Sequence, residues 1–301
     1  MTPGASARPV RLDPAERDRS VRRVLVTVLW LNLAVVAAKA AAYLSSNALS
    51  VVAETTHSSL DAANNVLALW VARVAARAPD AEHPYGHRKF ETLGALALVG
   101  FLSVTVFELL KSAVRRLTAP SPPLVEGTPL ALAILGLSVV AGVLVAAYES
   151  RNGKAIGSDL LLADAAHTRA DVFTTLAVLG GLVLVRLGLP QADPVLTLVV
   201  AGIIAWTGWQ IVKRSVPVLV DERAVDPESI RRLAEEDDGV LSCYRIRSRG
   251  RPGDIYAELT ISVDPALDVG RSHAIADRVE QRVADALEAR DVLVHVEPAG
   301  G

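Results

Sequence analysis

A bundle of six membrane-spanning α-helices followed by a small soluble α+β domain is the fold class this sequence predicts, and three observations carry the prediction. The 301 residues are 51% hydrophobic with a mean hydropathy of +0.35, too apolar for an ordinary soluble chain. The apolar residues gather into stretches near the ~20 residues that cross ~30 Å of hydrocarbon. From about residue 221 the composition changes to that of a soluble domain. Aromatic residues are only 4%, so the apolar share is Ala, Val and Leu, which suits close helix packing in lipid. A net charge of −2 and the lack of a basic run give no reason to propose nucleic acid as a partner. A single cysteine, Cys243, excludes an intrachain disulfide and a cysteine-based zinc finger.

Residues 1–22 are polar, carry both signs of charge (Arg8, Arg11, Asp13, Glu16, Arg17, Asp18, Arg19) and read as a flexible cytosolic tail. They are not read as a signal peptide, because the leader is long and contains acids, and the apolar sequence runs well past a normal leader core. The membrane domain, 23–214, holds segments at about 23–45, 48–76, 91–114, 128–149, 158–187 and 194–213. Asn32, Lys39, Asn64 and Asn65 are expected to face the bundle interior. Arg73, Arg77, Arg88 and Lys89 between segments two and three, Arg151 and Lys154 between four and five, and Lys213-Arg214 after six place both termini on the cytoplasmic side. Lys111, Arg115 and Arg116 oppose that rule at the outer end of segment three. The connection Thr118-Ala-Pro-Ser-Pro-Pro123 is a proline-rich outer loop, and Leu189 to Pro194 is a short turn into segment six. In the final domain, 215–301, Asp226-Pro227-Glu228 starts a helix, Val240–Ser248 and Asp254–Val263 read as strands joined by Arg249 to Gly253, Val269–Ala289 is an amphipathic helix, and Val292–Val296 is a last strand. The order α-β-β-α-β predicts a small α+β sandwich whose core is slight enough to favour pairing with a second copy.

Inside the second and fifth segments one phrase is written twice: Ala53-Glu54-x-x-His57-x-x-x-Asp61 and Ala163-Asp164-x-x-His167-x-x-x-Asp171, with His57 and His167 set 110 positions apart. Residues i and i+4 share a helix face, so each copy offers an imidazole beside a carboxylate. Two such helices facing one another would bring two nitrogens and two oxygens to one point, a set that suits a tetrahedral divalent cation, zinc above all. A buried histidine is more often a hydrogen-bonded structural residue. Ionisable groups in a membrane segment, however, are functional by default, and here they come as a matched pair. Such polar segments should also be the weakest of the six by hydropathy.

A second candidate lies between segments two and three. His83 and His87 are four apart and Asp80 is three before His83, so a short helical turn could converge all three on a metal with one exchangeable position. The opposing reading is that Pro84-Tyr85-Gly86 breaks any helix and leaves the histidines exposed.

On these residues the chain resembles the cation diffusion facilitator family of zinc and divalent-metal/proton antiporters. The resemblance runs through residues 22–298 and rests on Ala-Glu-Thr-Thr-His-Ser-Ser-Leu-Asp (53–61), Pro-Asp-Ala-Glu-His-Pro-Tyr-Gly-His-Arg-Lys-Phe-Glu (79–91), Ala-Asp-Ala-Ala-His-Thr-Arg-Ala-Asp (163–171) and Ala-Asp-Pro (192–194). It implies a homodimer in the plasma membrane, with six membrane helices per protomer and a cytosolic ferredoxin-like domain, exporting a divalent metal in exchange for protons. It implies a transport site of His57, Asp61, His167 and Asp171, with Zn2+ as substrate and the histidine in segment two favouring zinc. Asp80, His83 and His87 match the family's loop site. His273, His295 and Glu297 match positions that bind zinc in some relatives, although Cys243 and Thr260 replace two further histidines there; otherwise His273 is a helix-surface histidine. Lys89 and Asp221 match a charged pair at the dimer interface. Glu54 and Asp164, one turn from the ligands, would orient them or admit protons. Three rival readings stand beside zinc export. One is a transporter for Mn2+, Fe2+, Co2+ or Cd2+, and another a membrane metal sensor that does not transport. The third is a zinc-dependent membrane hydrolase with Glu54 as its base, although the sequence has no His-Glu-x-x-His run.

Overall fold

The computed structural model describes residues 13–46, 49–118, 129–187, 189, 192–251 and 253–300; the side chains of 38–60 and 129–131, and of Pro14, Leu182, Val185 and Arg186, lie outside that description. The outer proline-rich loop from residue 119 therefore falls outside it, as do the Lys39 side chain and Pro190 and Gln191 of the turn into the sixth helix. The chain divides into two compact units, Met1–Ser215 and Val216–Gly301.

Six helices run through the first unit: α1 (Pro14–Ser46), α2 (Leu49–Ala75), α3 (Lys89–Thr118), α4 (Pro129–Ile156), α5 (Asp159–Arg186) and α6 (Ala192–Leu219). Among the described residues four are long and apolar enough to cross a membrane: Ala15–Ala37 in α1, all of α3, Leu132–Ile156 in α4 and all of α6. Of the other two, α5 falls short with Asp164, Arg169 and Asp171 along its length, and α2 is described in full only over 61–75. Leu25, Leu98, Leu102, Leu160, Leu161 and Ile204 are fully buried, with Ala95, Ala163, Ala166 and Ala170 packed among them. Small residues let helix backbones approach where lipid supplies no hydrophobic drive. Trp30, Phe107, Leu144 and Trp206 stay exposed, as a lipid-facing surface requires.

The first helix corrects the expectation of a flexible tail for residues 14–22 of the 1–22 stretch. Residues 14–22 are the opening turns of α1, and Arg17 is buried there. Its guanidinium donates to both oxygens of Glu91 on α3 (3.1 and 2.9 Å), to the Gly157 carbonyl (3.0 Å) and to the Ile156 carbonyl (3.3 Å). Ser158, just ahead of α5, donates to the same Glu91 at 2.6 Å. A guanidinium fork with this many acceptors fixes α1, α3 and the α4–α5 turn together, and removing one side of such a buried pair costs about 3–5 kcal/mol. At the far end of α3, Arg116 opposes the charge rule because it pairs with Asp193 in the first turn of α6. An acid placed there also meets the positive end of the helix dipole.

The second unit has the predicted order: α7 (Pro227–Glu235), β1 (Ser242–Arg251), β2 (Asp254–Val263), α8 (Val269–Leu287) and β3 (Ala289–Pro298). The sheet order is β1-β2-β3, with β1–β2 antiparallel and β2–β3 parallel. A parallel neighbour needs a crossover, and α8 supplies it. The last strand is ten residues rather than the five expected, because its register follows β2 from Ile255↔Ala289 to Val263↔Pro298. Ile255, Ala257, Leu259, Ile261 and Val263 recur at period two and are buried, the last four in one core with Ile230, Val279 and Val283. Each large aliphatic side chain so buried contributes about 1.5–3 kcal/mol. Asp268 caps α8 by accepting from the Arg271 N–H at 2.8 Å.

Candidate metal centres

Helical periodicity places Asp61 on α2 and both His167 and Asp171 on α5, and the packing of the bundle brings the three together. Their ligand atoms all lie within 4.8 Å of one another. His167 Nε2 is 3.8 Å from Asp61 Oδ1 and 3.9 Å from Asp171 Oδ2. Donors around a tetrahedral Zn2+ at ~2.0–2.2 Å sit about 3.4 Å apart, so both histidine–carboxylate distances lie within about 0.5 Å of that spacing. His57 and Glu54 lie on α2, and their side chains are among those outside the description. The fourth ligand of the expected site thus keeps its basis in the sequence alone.

Behind this cluster runs a buried polar chain. Asn32 of α1 donates to Asn65 Oδ1 at 2.5 Å, and Asn65 Nδ2 reaches the Asp164 carboxylate at 3.3 and 3.5 Å. Asp164 in turn faces Glu149 of α4, which accepts from Thr168 at 3.3 Å. Asn32, Asn64 and Asn65 do turn to the interior, and Asp164 is fully buried one turn from His167. Sequence reasoning did not single out Glu149. An acid within the apolar run of α4 was the available signal, and it is fully buried.

The loop cluster forms by a different route from the expected helical turn. Residues 76–88 carry turns rather than a helix. Asp80 Oδ1 accepts from the backbone N–H of His83 (2.7 Å) and of Glu82 (3.0 Å), and Gly86, at φ +86°, donates to the His83 carbonyl at 2.9 Å. This folding back brings Asp80 Oδ1 to 3.4 Å from His83 Nδ1 and Asp80 Oδ2 to 3.3 Å from His87 Nε2. All three ligand atoms lie within 4.8 Å of one another. The two rings are 4.4 Å apart between centroids, Phe90 stacks against His87, and His87 is buried, so the histidines are not merely exposed. The His83 N–H holds the Asp80 carboxyl below the usual carboxylate range, keeping it ionised for a cation.

In the second unit, His295 Nε2 lies 3.5 Å from Glu297 Oε1, while His273 pairs with Asp277 at 3.7 Å. His273, His295 and Glu297 are not gathered into a common cluster among the described residues. The Tyr244 hydroxyl donates to Glu297 at 2.5 Å and holds that carboxyl below its ordinary value. Thr260 sits opposite both Tyr244 and His295 in the sheet, and burial pushes the Cys243 thiol up to about 11, a poor state for binding metal. Lys89 opens α3, and Asp221 pairs with Arg249 at 3.6 Å.

Long apolar helices with two compact His/Asp clusters, one of them between helices, define a membrane protein that handles divalent cations. Comparison with known proteins is specific on this point. Residues 25–220 match the cation efflux transmembrane domain, and residues 223–299 match the cytoplasmic domain of cation efflux proteins. The chain is 30% identical to a cation-efflux pump FieF of Shewanella oneidensis, over 88% of this chain and 90% of that one. It is 30% identical to metal tolerance protein C1 of Arabidopsis thaliana, over 95% of this chain and 64% of that one, and 28% identical to the manganese efflux system protein MneP of Bacillus subtilis, over 94% and 98%. The chain belongs to the cation efflux, or cation diffusion facilitator, family. It is a membrane-spanning cation transporter and not an enzyme, which removes the hydrolase reading.

Proposed function

We propose that the chain exports Zn2+ in exchange for protons through a site made of His57, Asp61, His167 and Asp171. The observation that carries this reading is the convergence of Asp61, His167 and Asp171 from two helices within the membrane domain. Imidazole favours Zn2+ or Co2+ over harder ions. Binding requires neutral imidazole and ionised carboxylate, so metal and protons compete for the same groups, and that competition is itself an exchange device. Facing the cytosol, the site takes the ion and releases protons; facing outward, protons reclaim the ligands and the ion leaves. Six helices span the membrane, α2 and α5 among them, shielded by their neighbours. They rock about a site near the midplane. The basic residues of the 2–3 and 4–5 connections favour cytoplasmic termini in the plasma membrane. Two copies pair through residues 215–301, and Asp80, His83 and His87 hold a second ion. A zinc site in residues 215–301 rests on His295 and Glu297, with His273 outside their cluster. Export of Mn2+ is the second reading, favoured by the likeness to a relative named for manganese efflux.

Proteoliposomes with a pH gradient and a metal-sensing dye test the proposal. Asp61→Ala and Asp171→Ala should each abolish uptake while the protein stays folded, and flux persisting in both would refute the site. His57→Asp should broaden selectivity toward Cd2+ or Mn2+; unaltered selectivity would remove the ligand type as the filter.

A further inference from the structure

Asn64 continues the stripe of α2 that holds His57 and Asp61, lying seven and three residues beyond them on one helix face. Its amide Nδ2 lies 3.0 Å from His167 Nε2, within the membrane cluster. An amide nitrogen donates, so with the ring neutral this contact is a hydrogen bond to Nε2 and the ring proton sits on Nδ1. That tautomer is the one an ion needs if Nε2 is to bind it. The carboxylates of Asp61 and Asp171 stand farther from Nε2 than the amide does, at 3.8 and 3.9 Å. A ligating histidine usually has its tautomer set from its other nitrogen, by a carboxylate or carbonyl behind the ring. Here His167 Nδ1 is buried with no hydrogen-bond partner among the described residues. Among the described residues, the ring is held from the front, at Nε2, by Asn64.

We infer that Asn64 is a positioning and selectivity residue of the transport site: its amide holds His167 Nε2 toward the two aspartates and yields that nitrogen to the entering ion. This rests on the transport-site reading given above. Once displaced, the amide can turn its carbonyl oxygen to the same ion, adding a hard oxygen donor to two imidazoles and two carboxylates. The ion replaces the hydrogen bond it breaks, so the ring is never left without a partner at Nε2.

The test uses the full-length purified protein with His83→Ala and His87→Ala in the background, so that loop binding does not contribute. Zn2+ and Mn2+ are titrated by calorimetry, and Co2+ absorption reports the coordination. Asn64→Leu keeps the shape and removes the hydrogen bond; it should weaken Zn2+ binding about 10- to 100-fold, as removal of a ligand-orienting partner does, and alter the Co2+ band. Zn2+ affinity within twofold of the parent, with an unchanged Co2+ band, would overturn the inference. If Asn64→Leu does not fold, Asn64→Asp decides: a third carboxylate should raise Mn2+ affinity relative to Zn2+ by about tenfold or more, and an unchanged ratio would overturn it equally. Asp171→Ala runs in parallel. Loss of binding there with full binding in Asn64→Leu sinks only the role of Asn64, whereas binding that persists in Asp171→Ala sinks the transport site itself.

Discussion

Asp80, His83 and His87 fall within residues 80–87, whereas Asp61 and His167 are separated by 106 positions and meet only because α2 and α5 lie in one bundle. The loop cluster is set by backbone turns: two amides on Asp80 and a left-handed glycine. The membrane cluster is set by the distance between two helices. The difference teaches where motion can act. A rigid shift of one helix past another leaves three ligands on one loop untouched, while the same shift changes the spacing of ligands shared between helices. Bonds near ~2 Å tolerate little displacement, so a rocking bundle opens or closes only the second kind of cluster.

The largest separation between the two clusters should come from a wedge between helices. Gly142 of α4 faces Val172, the neighbour of Asp171; a Cβ built there would lie 2.6 Å from Val172 Cγ2. Gly142→Leu forces the α4–α5 contact apart, at about 1–3 kcal/mol of overpacking. Zn2+ affinity at the membrane cluster should fall about tenfold or more, with loop affinity unchanged, in calorimetry with each cluster silenced in turn. Equal losses at both would break the comparison.

A smaller effect in the opposite sense is expected from Gly86→Ala. An added Cβ would meet only the Pro79 ring, at an ordinary 3.7 and 3.8 Å, so the burden is conformational: φ +86° disfavours any L side chain by about 1–2 kcal/mol. Loop-cluster affinity should drop several-fold while flux and the membrane cluster hold. An unchanged loop affinity would mean that the histidines converge without the turn.

What could be read from the sequence follows the same division. Period and spacing pointed to Asp61, His167 and Asp171, to the loop trio, to six helices and to the α-β-β-α-β order, because those signals lie within single elements. Contacts between distant elements left weaker traces. Arg17 sits in a polar stretch that reads as a tail, and its acceptor Glu91 is 74 residues away. Glu149 is one acid in an apolar run, and only packing reveals that it meets Thr168 and Asp164. The loop was expected to close as a helical turn; Pro84 and Gly86 rule that out, yet an Asp side chain accepting two amides reaches the same convergence. Asn64 was legible as interior-facing, while its hold on His167 needed the helix pair.

The smallest effect on ion binding should come from an acid outside both clusters, and it serves as the control. Asp237 is buried and takes a two-pronged hydrogen bond from Arg278, at 2.8 and 2.9 Å. That guanidinium holds the Asp237 carboxyl below its ordinary value. A depressed native value means the pair stabilises the fold above the unfolded value of about 3.9, and that stability is lost as pH falls through the native one. Asp237→Asn should therefore destabilise the second unit by about 1–2 kcal/mol at pH 7, the lower part of the range for charged hydrogen bonds because Arg278 is half exposed. In the full-length protein this appears as roughly 5- to 30-fold faster hydrogen exchange of the Leu259 and Ile261 amides, a gap that closes as the pH is lowered past about 4. Zn2+ affinity at both clusters should stay within twofold. If either cluster weakens along with the second unit, its ligands answer to the stability of the whole chain, and neither local turns nor helix spacing is what sets them.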